Sequence, residues 1–167
     1  MMGIQHFKSF LNLGLDIINV RFAARKIQNM KTSNKIPPIY GALKKAFNIS
    51  WDRGVVIAYE DTIHCKFRIT DDLFVHECTH LKQHRNYPGG ATKWYDKYID
   101  DKDFRLSQEL EAYRNQLDYI ESSKDPHAKE KVIHILSSLC GEMYGNMINV
   151  AEAKEKLNII TKNYDRE

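Results

Sequence analysis

Thr70-Asp71-Asp72-Leu73-Phe74-Val75-His76-Glu77-Cys78-Thr79-His80 is the stretch that decides how this chain folds. A hydroxyl and two acids stand at its start, where the free amides of a helix need acceptors and the dipole favours negative charge. The helix that begins there can run to Tyr87-Pro88-Gly89-Gly90, which no helix crosses comfortably. Within it, His76 and His80 stand at i and i+4, on one face and about 6 Å apart along the axis. That separation lets both imidazoles reach a single zinc ion, with Glu77 at the rim of the same face. A carboxylate so placed can take a proton from water, which is the general-base role in a zinc hydrolase.

Upstream of this helix, Val55-Val56-Ile57-Ala58-Tyr59 is short, β-branched and bounded by turn residues, so it reads as a buried strand. Glu60-Asp61 makes a tight turn. From Ile63 to Ile69, apolar Ile63, Cys65, Phe67 and Ile69 alternate with His64, Lys66 and Arg68, the pattern of a strand with one solvated face. His64 falls on the polar side and reads as a surface residue. Further upstream, Phe7, Leu11, Leu15, Ile18 and Phe22 recur at helical spacing over residues 4 to 30 or so, Lys31 to Pro38 is a polar connector, and a short helix over Ile39 to Phe47 precedes a turn from Asn48 to Gly54.

Downstream, residues 91 to 101 form a short helix whose Trp94, Tyr95 and Tyr98 wall a cleft, followed by a long helix from about Phe104 to Ser122. Residues 128 to 162 are helical again, broken near Gly141 and Gly145. The expectation is an α+β, helix-rich single domain over residues 1–167, with a small sheet or hairpin preceding the motif helix. Its parts are a helical N-terminal part (1–50), a core that carries the site (54–122) and a helical C-terminal part (124–167).

The chain of 167 residues suits one domain with a real core. A net charge of +3, spread along the chain, gives no electrostatic case for a nucleic-acid partner, and Arg21, Arg25, Lys26 and Lys31 read as the solvated side of a helix. Cys65, Cys78 and Cys140 are an odd number at irregular spacing, which points to a reducing compartment. Asp16 interrupts the apolar stretch from Phe10 to Val20, and no run approaches the roughly 20 apolar residues of a membrane span. A cytoplasmic protein without a membrane segment is expected.

With seven histidines in the chain, chance alone yields HExxH in about two of a hundred shuffled sequences, so the motif needs a third ligand to carry weight. His84 continues the i, i+4 series but lies about 12 Å along the axis from His76, too far to share the ion, and reads as a partly exposed helix residue. His127 stands at a helix start, and His134 falls within an apolar face, where a hydrogen-bonded core histidine is the ordinary reading. The third source is Ser107-Gln108-Glu109-Leu110-Glu111-Ala112-Tyr113. If Leu106, Leu110, Tyr113 and Leu117 face inward, Glu109 lies beside them with Ala112 and Gln116, while Glu111 joins Gln108 and Asn115 on the wet side. Glu109 is therefore the expected third ligand, Glu111 the next in line, and small Ala112 lets the two helices approach.

HExxH followed tens of residues later by Glu109-x-x-Ala112 resembles the gluzincin branch of the zincin metallopeptidases. The longer string, with HECTHLKQH, QELEAYRNQL and Met143-Tyr144-Gly145-Asn146, is similar to small zinc metallopeptidases encoded in bacteriophage and prophage genomes. The resemblance implies Zn2+ on His76, His80 and Glu109, Glu77 as the base, and hydrolysis of a peptide or protein substrate. Many gluzincins carry an aspartate four residues after the ligand glutamate to orient the first histidine; here Tyr113 holds that position. Tyr113, with Tyr95 and Tyr98, is a candidate donor to the tetrahedral oxyanion, and an extended substrate can add to the Ile63 to Ile69 edge. A zinc-stabilised virion or assembly protein without catalysis is the alternative.

Overall fold

The computed structural model describes residues 31–47 and 49–159. The chain divides into two units, residues 1–31 and 32–167, and the elements below belong to the second from Thr32 onward. The helix expected over residues 4 to 30, with Arg21, Arg25 and Lys26, lies outside the described residues, as does the end of the stretch expected to be helical to residue 162.

The described residues form an α+β fold: six helices and one small sheet. The strands are β1 (Lys31–Ser33), β2 (Ile57–Tyr59) and β3 (Thr62–His64), in the order β1-β3-β2. Antiparallel pairing sets Tyr59 opposite Thr62 and Ile57 opposite His64, so the hairpin turn is Glu60-Asp61 alone. Glu60 sits at φ 54, in the left-handed region that two-residue hairpins demand.

The sheet differs from the expectation in three respects. The strand expected over Val55 to Tyr59 begins only at Ile57, leaving Val55 and Val56 outside it. The connector expected from Lys31 to Pro38 contains β1, whose pairing rests on backbone bonds that no side-chain alternation announces. The alternation from Ile63 to Ile69 supports a strand only as far as His64, because a three-residue neighbour has nothing further to pair. The Cys65 amide still reaches the Ser33 carbonyl at 2.9 Å, and then the chain leaves the sheet. Phe67 is accordingly 44% exposed, its ring lying over Gly54, where a Cβ would stand 3.0 Å from the ring at φ +87.

The helices are α1 (Tyr40–Phe47), α2 (Asp71–Asn86), α3 (Gly90–Asp100), α4 (Lys102–Ser122), α5 (Ala128–Cys140) and α6 (Val150–Lys156). Single turns of 3-10 helix occupy Trp51–Arg53 and Glu142–Tyr144. Gly89, at φ 88, lets α3 fold straight back on α2; a Cβ there would meet Lys93 Cγ at 2.5 Å. Asp101 is the whole joint between α3 and α4, and its carboxylate accepts the Phe104 amide of the first α4 turn at 2.9 Å.

Two apolar clusters result. One packs Leu110, Tyr113, Leu117 and Ile120 of α4 against Val132, Ile135, Leu136 and Leu139 of α5 and Ala153 of α6. The other joins Leu43, Trp51 and Ile57 to Trp94, Tyr95 and Tyr98 of α3. Each fully buried Leu, Ile or Val contributes about 1.5–3 kcal/mol relative to exposure. Helix α2 lies between the two clusters and is held to α4 largely by polar side chains. Gln116 donates to Asp72 (2.7 Å), Asn115 to Thr79 Oγ1 (3.0 Å) and Gln83 to the Gln108 carbonyl (3.1 Å). Rising numbers on one helix meet falling numbers on the other, so the pair is antiparallel. Ala112, with no exposed surface, sits in that pairing and lets the backbones close.

Thr70 stands at the start of α2 in the extended conformation of a cap, but its side chain makes no capping bond to the backbone; it bonds the Asp72 carboxylate. Asp72 is buried and also meets Lys131 Nζ at 2.5 Å. Burial would raise its pKa, but Lys131, Gln116 and Thr70 outweigh this and hold it below the ordinary 3.8. Such a depressed carboxyl stabilises the fold above its unfolded pKa, near about 4, and the contribution fades as pH falls through the lower folded value. Asp72→Asn is expected to lose about 1–3 kcal/mol of stability in urea unfolding at about pH 7. The difference from wild type should shrink steadily below about pH 4.

Candidate metal centre

A carboxylate buried to the extent of Glu109, 1% exposed, requires positive charge or donors around it. Helix α4 aims it between the two histidines of α2. His76 Nε2 lies 3.5 Å from Glu109 Oε2, His80 Nε2 lies 3.4 Å from Oε1, and the two imidazole nitrogens are 3.1 Å apart. Ligand atoms about 2.0–2.1 Å from a tetrahedral zinc stand roughly 3.3–3.4 Å from one another, so these three donors have the spacing of one ion's ligands. Glu109 Oε2 and His76 Nδ1 have no hydrogen-bond partner in the structure.

The electrostatics agree. Burial would raise the Glu109 pKa, but His80 and His76 hold it well below the usual carboxylate range. Burial would likewise lower that of His80, yet the Glu109 carboxylate wins and lifts it to about 9. The group therefore calls for one positive charge at its centre, which a proton on His80 supplies and a divalent cation could supply instead. Two imidazoles and a carboxylate are a donor set suited to zinc, and the residues fit such an ion.

Four aromatic side chains box the group. The Tyr98 hydroxyl donates to Glu109 Oε1 at 2.7 Å, the Tyr113 ring lies edge-on to His76 with centroids 4.4 Å apart, and Trp94 lies against His80 at 5.7 Å. Tyr144 lines the cavity in front of the group, which has a volume of about 80 Å³, room enough for several water molecules. His76, Glu77, His80 and Glu109 form its polar wall; Leu43, Phe47, Val55 and Ile57 form the apolar one. Glu77 stands outside the three-donor group yet faces the same space. Burial raises its pKa, partly offset by the neighbouring histidines and by a hydrogen bond from the Ala58 backbone.

Several expected positions differ. The Tyr113 hydroxyl donates to Tyr144 Oη at 3.3 Å, and the cavity lining includes Tyr144 rather than Tyr113. Tyr95 donates to the Ala58 carbonyl at 2.6 Å, so it is committed to the sheet. β3 is the central strand and offers no edge to a substrate. The strand beside the cavity is β2, and its Ala58 is engaged by Glu77 and Tyr95. His84 is 1% exposed instead of partly exposed, because α3 folds back and covers it with Trp94 and Tyr95, at 4.5 and 5.0 Å between centroids. Burial and the charge of His80 push its pKa down to about 3. His134 is exposed rather than in a core, and His127 is exposed as a residue at a helix start would be. Glu111 is exposed and accepts from Gln83 at 3.0 Å.

Three residues around the centre escaped the sequence reading. Gln83 bonds His80, and its i+3 spacing from that histidine was an available signal. Arg105, 7% exposed, donates to the carbonyls of Tyr98, Ile99 and Tyr144, tying the end of α3 to the turn that carries Tyr144. Tyr144 itself comes from a remote part of the chain; it stands in the Met143-Tyr144-Gly145-Asn146 string, but nothing local marks its ring as facing the centre. Comparisons with protein-family models, curated proteins and solved structures find no match to this chain. Among the described residues no helix is long and apolar enough to cross a membrane.

The chain is expected to bind one zinc ion in competition with a chromophoric chelator. His80→Ala and Glu109→Ala should each weaken binding by more than about 100-fold, and Glu111→Ala should leave it within a few-fold of wild type.

Proposed function

We propose that this chain is a zinc-dependent peptidase acting on peptide or protein substrates. The observation that carries the proposal is the combination of a three-donor group, His76, His80 and Glu109, with a fourth buried carboxylate, Glu77, facing the same cavity. A structural zinc site closes with four protein ligands, whereas three leave a position for water and substrate. Among the described residues the group has three. The likeness of HExxH and Glu109-x-x-Ala112 to gluzincins supports the same reading.

His76, His80 and Glu109 would hold a zinc ion, which when bound would lower the pKa of water to about 7 and polarise a carbonyl. Glu77 is the general base: its raised pKa makes it a better proton acceptor than a solvated carboxylate, and it returns the proton to the leaving amine. Tyr98 holds Glu109 through its hydroxyl. Tyr144 is the better candidate than Tyr113 to donate to the oxyanion, because it lines the cavity and Tyr113 does not. The apolar wall accepts a substrate side chain.

Glu77→Gln should retain zinc while hydrolysis of an unstructured protein falls by about 10²–10⁴-fold. Cleavage at the wild-type rate by the zinc-loaded variant would remove Glu77 from the mechanism.

A further inference from the structure

Gln83 sits one turn after His80, is buried, and uses both ends of its amide. Its Nε2 donates to the Gln108 carbonyl at 3.1 Å and to Glu111 Oε2 at 3.0 Å. A carbonyl and a carboxylate only accept, so that end must be the NH2. The other end, Oε1, therefore faces His80 Nδ1 at 2.8 Å and can only accept in turn. Nδ1 must carry its hydrogen, and neutral His80 is left with its lone pair on Nε2, the atom that faces His76 and Glu109.

We infer that Gln83 is the positioning residue of the metal centre: anchored on α4 at Gln108 and Glu111, it sets the tautomer and ring orientation of His80. The inference rests on the metal-binding reading above. His76 has no counterpart, since its Nδ1 is buried without a partner and Tyr113 lies against its ring. At Nδ1, one histidine is thus held by a hydrogen bond and the other by packing alone. The choice of amide over carboxylate also follows. A glutamate at position 83 could hold His80, but its second oxygen would stand against Glu111 and the Gln108 carbonyl, where only a donor is tolerated.

The test uses the full chain as wild type, Gln83→Ala, Gln83→Glu and the double variant Gln83→Glu/Glu111→Gln. Two measurements are made: zinc dissociation constants by chelator competition, and the His80 tautomer in zinc-free protein above about pH 9 from imidazole 15N shifts. In wild type the Nδ1–H form should dominate, and Gln83→Ala should bind zinc about 10–100-fold more weakly with a mixed tautomer. Gln83→Glu alone should also be weakened, and Glu111→Gln in its background should restore zinc affinity to the wild-type range together with the Nδ1–H tautomer. Gln83→Ala that binds zinc like wild type, or a double variant no better than Gln83→Glu, would overturn the inference. Wild type that binds no zinc would overturn the metal-binding reading itself, with the tautomer measurement still deciding whether Gln83 sets His80.

Discussion

The charge of Glu109 is the constraint around which this domain is arranged. A carboxylate at 1% exposure costs several kcal/mol unless it is matched, and three polar side chains near it answer that demand. His76 and His80 supply positive charge or a cation's other ligands, and Tyr98 supplies a hydrogen bond. The aromatic rings of Tyr113 and Trp94 lie against the histidines, lowering the local dielectric and so strengthening those interactions. The two apolar clusters flank this charge, one reaching it through Tyr113 and the other through Trp94 and Tyr98.

Matching a charge demands directional contacts, and this explains why α2 and α4 meet through polar groups. An apolar helix pair can slide by a fraction of a turn at little cost, because dispersion is weakly directional. The bonds from Gln116 to Asp72, Asn115 to Thr79 and Gln83 to Gln108 cannot slide, and they bracket the histidines from both ends of α2. Arg105 extends the same logic to the turn before Gly145, fixing a segment that sequence distance would otherwise leave independent.

How legible this was in the sequence depended on whether the signal was local. Helix α2 was readable because its start, its stop and the i, i+4 histidines all lie within one run of residues, and Glu109 followed from the apolar face of its own helix. The choice of Glu109 over Glu111 matches their burial in the fold. Contacts made across the fold were not readable. His84 reads as partly exposed in the sequence because its cover, Trp94 and Tyr95, arrives only when Gly89 turns α3 back. That the Tyr113 hydroxyl meets Tyr144 and does not line the cavity is not legible either, because position in sequence does not show which way a ring's far end points. The alternation after Ile63 promised a longer strand, but strand length is set by the partner as well, and β1 offers only three residues.

Ala58 occupies the middle of β2, a strand of three residues at the edge of the sheet. Its carbonyl accepts from Tyr95, and its backbone bonds Glu77. An exposed edge strand is a template on which a second chain can build, and short length and blocked backbone groups are two ways natural sheets prevent it. Here the blocking comes from side chains that already serve the cavity. Two side chains of the cavity wall, Tyr95 and Glu77, thus also block the backbone groups on which a second copy of the protein would build at this edge.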